Sequence, residues 1–141
     1  MGIAVLYPVL AQIMLTLILM FVMGLYRQAA LKSGAVTHND IALDNTRWPD
    51  RARQFANCYT NQFELPVIFY VLCLMAQITS AADLIFLILA WIFVISRVIH
   101  AIEHTTSNVV RRRGAIFSVG FFCVVLMTAL LLFRFLMPPG L

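Results

Sequence analysis

The sequence predicts an all-α integral membrane protein, a single domain built as a four-helix bundle. Three observations carry that reading. Of the 141 residues, 62% are hydrophobic and 11% charged, with a mean hydropathy of +0.93; soluble domains run nearer 45–50% apolar and about 25% charged. Four apolar runs, at about 2–26, 49–79, 84–105 and 114–137, are each long enough to span a bilayer core of about 30 Å. Finally, eight of the ten Lys and Arg residues flank those runs. Such flanking charge sets membrane topology, so the net charge of +4 implies no nucleic-acid partner.

The first run has neither a basic segment before it nor a small-residue cleavage site after it, and is read as a retained helix. Pro8 falls in its first turns, where proline is tolerated. Gln12 is its one strong polar group and is expected to hydrogen-bond to another helix. Arg27 and Lys32 close this helix, and Gly34, Asn39, Asp40, Asp44 and Asn45 mark a loop. Asn45 or Thr46 is expected to cap the second helix, with Pro49 and Asp50 in its first turn.

The second helix carries the feature that points to function. Arg53, Asn57, Asn61 and Glu64 lie at i, i+4, i+8 and i+11, one helical face. The apolar stretch that follows, from Pro66 to Ile78, supplies only about 20 Å of helix. To span, the helix must take the Asn-Asn-Glu stripe into the membrane, where ionisable groups are costly and face a bundle interior or wet cavity. Pro66 deletes the hydrogen bond to the Gln62 carbonyl and predicts a kink beside Glu64.

Ser80 to Asp83 is too short for anything but a tight turn, so the second and third helices form an antiparallel hairpin. On the third helix Arg97, His100 and His104 share a face at i, i+3 and i+7. Counting outward from the turn sets Glu64 level with Ile99, Asn61 with Ile102 and Asn57 with Thr106. The two polar faces therefore coincide in depth, and Glu64 is expected to form a buried ion pair with Arg97. Such a pair fixes helix register at some cost in stability.

Arg111, Arg112 and Arg113 precede the fourth helix, which Pro138, Pro139 and Gly140 end. Five basic residues lie between the first and second helices, three between the third and fourth, and none in the Ser80–Asp83 turn. The positive-inside rule puts both basic loops in the cytoplasm and both termini opposite. Cys58, Cys73 and Cys123 sit in apolar stretches without a disulfide pattern and are expected as packed thiols. His100-Ala-Ile-Glu103-His104 matches the inverted zinc-protease motif, yet no Asp or Glu follows to complete a three-ligand site. No metal is expected. Arg113, at the mouth of the fourth helix, is placed to lower a thiol pKa or hold a carboxylate.

The chain resembles the MAPEG family, the membrane-associated proteins of eicosanoid and glutathione metabolism. The likeness rests on Asn61-Gln-Phe-Glu64 with Pro66, Arg97-Val-Ile-His100, Arg113 before the fourth helix and Arg27 ending the first. It covers nearly the whole chain and is nearest the bacterial members, which implies a multi-pass protein of a bacterial inner membrane. The resemblance also implies a homotrimer with glutathione, as co-substrate, bound between subunits near the cytoplasmic face. It would make Arg27, Asn61, Glu64, His100 and Arg113 the glutathione ligands and Arg113 the thiol-activating cation. The chain departs from that pattern at Asn57, where glutathione-using members have arginine. It departs again at His104 and Phe117, where they have tyrosines, and at Gly114, where serine is common. His104 then becomes the candidate base or donor in place of a tyrosine.

The expected function is a glutathione-dependent transferase or peroxidase acting on a lipophilic small molecule, with membrane lipids around it. The competing expectations are a non-catalytic lipid-binding member and a structural subunit of a larger membrane complex.

Overall fold

The computed structural model describes residues 3–136. Among them there is no strand, and the order is α1 (Leu6–Lys32), α2 (His38–Ile41), a 3-10 turn (Asn45–Arg47), α3 (Asp50–Thr60), a 3-10 turn (Asn61–Phe63), α4 (Leu65–Ile78), α5 (Leu84–Thr105) and α6 (Val110–Leu136). Four stretches are long and apolar enough to cross a membrane: α1, the α3–α4 unit, α5 and α6. The expected stop at Pro138–Gly140 lies outside the described residues.

Two boundaries differ from the sequence expectation. Helix α1 continues through Arg27 to Lys32, because Gln28-Ala-Ala-Leu31 keeps good helix formers beyond the apolar run. Helix α6 starts at Val110, so Arg111–Arg113 occupy its first turn instead of a loop. The loop between α1 and α3 is also more ordered than its composition suggests. Thr37 and Asp40 form a reciprocal capping box around α2, and Asp44, not Asn45 or Thr46, caps the following 3-10 turn through Thr46 N at 2.9 Å. Pro49 is the N-cap of α3 and makes no side-chain cap bond.

The second span breaks where proline predicts. A 3-10 turn tightens Asn61–Phe63, and Glu64 leaves helical geometry at φ −97°, ψ −101° before α4 resumes with Pro66 in its first turn. Ser80 takes a positive φ of 53° in the α4–α5 turn, and the Asp83 carboxylate caps α5 at Phe86 N, 2.8 Å away. The same carboxylate pairs with Arg134, joining the α5 start to the end of α6.

Packing in lipid depends on close contact, since lipid tails match aliphatic side chains in polarity. The core joins α4, α5 and α6 through Phe69, Phe86, Phe93, Val124 and Met127. Phe69 and Phe93 stack at 4.3 Å. Helices α5 and α6 meet closely at Gly120, where an added Cβ would stand 3.0 Å from Ser96 Oγ. Cys58, Cys73 and Cys123 are buried free thiols. Gln12 does join helices: its Nε2 donates to Gln62 Oε1 at 2.9 Å, and Gln62 Nε2 donates to Cys58 O at 3.0 Å.

Candidate functional site

The stripe on α3, the end of α5 and the start of α6 converge at one end of the bundle. Arg97 lies deepest, with 0% exposure. Because Glu64 departs from the helix, the Asn61 carbonyl is available, and Arg97 Nη2 donates to it at 3.1 Å. The Arg97 guanidinium stands 5.5 Å from the Phe117 ring centroid. Its Nε and Nη1 are buried and unpartnered.

The ion pair expected between Glu64 and Arg97 within one hairpin is not formed. The ion pairs among the described residues are Arg47–Asp44, Arg53–Asp50 and Arg134–Asp83, and Glu64 is exposed on the protomer surface. The reason is geometric. Counting levels assumes a continuous helix, whereas the 3-10 turn advances at 3.0 residues per turn and the Glu64 backbone then swings its side chain off the stripe.

Above Arg97, a cavity of about 210 Å³ is lined by Asn61, His100, Val110, Arg113, Gly114 and Phe117. Three of the five expected ligands, Asn61, His100 and Arg113, therefore meet in one protomer. Glu64 and Arg27 do not line it. Arg27 instead lies over the Trp48 ring at 5.0 Å, its Nε buried without a partner.

His100, which lines this cavity, is 2% exposed, and its Nδ1 is buried and unpartnered. Its ring stands edge-on to His104, with centroids 5.6 Å apart and planes at 82°. His104 Nδ1 lies 3.3 Å from Asn61 Nδ2. An amide N–H donating to Nδ1 assigns the neutral ring as the Nε2–H tautomer, leaving that N–H as a donor. The α5 terminus beneath it is held by α3: Gln54 Nε2 donates to His104 O at 2.8 Å and Arg51 Nη1 to Thr105 O at 2.9 Å. These bonds occupy carbonyls that a helix end leaves free.

A second recess of about 390 Å³ adjoins, lined by Asp50, Arg53, Gln54, Asn57, Thr106, Ser107 and Asn108. Asn57 and Thr106 share it, at the common depth that counting from the turn gives. Arg113 Nη1 donates to Asn108 Oδ1 at 2.7 Å. Arg113 belongs to the smaller cavity and Asn108 to the larger, so this bond spans the two. One guanidinium nitrogen is thus anchored, while the remaining N–H groups of the fork stay free for an anion.

Sequence reasoning missed Gln54 and Asn108. Gln54, Asn57 and Asn61 fall at i, i+3 and i+7, so the same periodicity that picked out Asn61 also contains Gln54. Asn108 sits in a two-helix connection with φ 50°, a left-handed conformation Asn tolerates, and helical spacing says nothing about it.

Among known families, the MAPEG family model matches residues 5–133 of the chain. The chain belongs to the MAPEG family. No curated protein and no solved structure gives a significant match. In this MAPEG protein Asn61 and His100 line the cavity together with Phe117, and His104 adjoins it through Asn61. Arg113 and His100 line one cavity, and His100 Nδ1 is buried without a partner.

Proposed function

We propose that the protein is a membrane-bound glutathione-dependent transferase or peroxidase for lipophilic electrophiles, acting as a homotrimer in a bacterial inner membrane with its arginine-rich end cytoplasmic. The observation that carries the reading is the convergence of Asn61, His100 and Arg113 on one cavity in a MAPEG chain. Bound glutathione supplies a thiol. Arg113 holds negative charge at the sulfur while the thiol proton leaves to solvent. The Asn61 amide and the unpartnered His100 nitrogen orient polar groups of the tripeptide. The sulfur then bonds to the electrophilic carbon of a substrate arriving from the lipid, while a leaving group departs from that carbon with its bonding pair, or a conjugated double bond takes up the pair and a proton from solvent.

Glu64 supports the trimer. It is exposed beside Phe63, Val67 and Ile68, all exposed as well, on a span that must lie in the membrane. An ionisable side chain facing lipid is strongly disfavoured, so a neighbouring subunit covering this face and supplying donors removes the cost. Arg27, with its unpartnered Nε, completes the site in the same way. Native mass spectrometry of the detergent-extracted protein is expected to show three copies of the 15.9 kDa chain; a stable monomer or dimer alone refutes the trimer.

His104 gives a separate test. His104→Phe removes the partner of the Asn61 amide while leaving Arg113 in place. If His104 transfers a proton during turnover, kcat drops on the order of 100-fold. Thiolate absorbance on adding glutathione stays as in wild type. Loss of both together would show that His104 acts only by holding the site's structure.

A further inference from the structure

We infer that the groove between α5 and α6 binds an anionic phospholipid, with an acyl chain against Ile92, Ile95, Ile99, Ile116 and Val119 and the phosphate at Arg111 and Arg112. The groove has a volume of about 240 Å³, and Ser96 is its one polar lining residue. The Ser96 hydroxyl is turned to the Phe93 carbonyl at 2.6 Å, so the floor offers no free polar group. Its shape follows from the helix crossing. Gly120 lets the two backbones approach at Ser96, and the isoleucines beside that crossing stand apart and leave a channel.

Register places the basic turn at the mouth. Because Ser96 faces Gly120, Ile99 lies level with Ile116 to within a residue. Arg112, Ile116 and Val119 follow at i, i+4 and i+7, one face of α6. On α5, Ile92, Ile95 and Ile99 form the matching face at i, i+3 and i+7. From the level of Arg112 down to Ile92 is about 18 Å of helix. One leaflet of a bilayer core is about 15 Å deep. The groove itself, from Ile99 down to Ile92, takes up about 10 Å of that span, so an acyl chain seated in it has its headgroup at the level of the arginines.

Charge complementarity selects the headgroup. Arg111 and Arg112 are exposed and, among the described residues, engage in no hydrogen bond or ion pair. Arg113 is held by Asn108. The carboxylate on this rim, Glu103, accepts from the Ser107 hydroxyl. Three guanidinium groups against one carboxylate favour an anionic lipid, and guanidinium pairs with phosphate in bidentate fashion. A second copy of the chain is the poorer occupant. The polar groups that need protein cover, Asn57 and Glu64, lie on α3 and beside α4, and this groove offers them no donor.

The test uses the full chain in nanodiscs of equal parts phosphatidylglycerol, phosphatidylethanolamine and phosphatidylcholine, with retained lipid read by native mass spectrometry after release. No glutathione is present, so the result does not depend on the transferase reading. Wild type is expected to retain phosphatidylglycerol several-fold over the other two. Arg111→Gln/Arg112→Gln should bring the three lipids to parity. Ile95→Phe/Val119→Phe, which fills the groove and leaves the arginines, should remove most bound lipid. All four positions are exposed on the protomer, and melting of each variant beside wild type checks that the fold is kept. Equal retention by wild type, or preference for phosphatidylethanolamine, overturns the charge argument. Undiminished phosphatidylglycerol in the groove-filled protein overturns the groove, and single Arg112→Gln and Val119→Phe variants repeat each arm should a double variant fail to fold.

Discussion

Arg113→Leu is expected to abolish the ultraviolet thiolate absorbance that glutathione produces on binding and to lower conjugation roughly 100-fold at neutral pH. A free thiol, with a pKa near 8.5, is only a few per cent ionised there. Lowering that pKa by two units requires about 2.7 kcal/mol of preference for the thiolate. Arg113 is the cation lining the cavity, and a guanidinium stays charged even where the local dielectric is low. Arg97 is no substitute, since it lies below the cavity without lining it and its Nη2 is held by the Asn61 carbonyl. Two companions sharpen the experiment. Arg113→Lys keeps the charge but loses the fork that lets one nitrogen bind Asn108 while others face sulfur, so partial thiolate formation is expected. Asn108→Ala leaves the cation unanchored and should lower kcat more than it raises KM. A wild-type protein that forms no thiolate and conjugates none of a broad electrophile panel would sink the enzyme reading. The lipid-binding or structural role, favoured by Phe117 in place of an aromatic hydroxyl, then takes over.

How far the sequence reaches is set by where helical regularity holds. The four spans and the facing polar stripes on α3 and α5 are legible from composition and counting, because 1.5 Å per residue applies on both sides of a short turn. Asn57 and Thr106 line one recess, as the count gives, while Asn61 meets His104, two residues beyond the Ile102 level. Glu64 does not meet its expected partner, and the failure starts at Pro66: the missing N–H loosens the helix, the 3-10 turn follows, and side-chain directions after it no longer obey the stripe. The start of α6 differs from the expectation for a related reason. Basic residues read as loop from a topology rule, yet nothing in Val110-Arg-Arg-Arg113 opposes a helix. Hydrogen bonds to backbone carbonyls, such as Gln54 to His104, are invisible to any side-chain pattern.

Gln62 marks the same boundary from the other side, and its substitution is expected to have the largest effect on stability. Gln12 is recognisable as a lone amide in an apolar run, but its partner is not: Gln62 lies between the stripe residues Asn61 and Glu64 and shows no periodic signal. Both are almost fully buried, at 0% and 1% exposure. Gln62→Leu therefore strands the Gln12 amide and frees the Cys58 carbonyl. Leaving buried polar groups unmet costs about 1–3 kcal/mol in soluble proteins. Interhelical hydrogen bonds in membranes average nearer 0.6 kcal/mol, because the separated helices find other partners. The Gln12 Oε1 already lacks a partner in the native fold, so the pair is not saturated and the smaller half of the range applies. A loss of about 1–2 kcal/mol is expected for Gln62→Leu, and a similar loss for Gln12→Leu. The double variant replaces both amides with apolar side chains of similar size, and should melt closer to wild type than either single variant. Thermal melting of the three in one detergent decides the matter. Strictly additive losses would show that α1 docks on the second span without help from this pair.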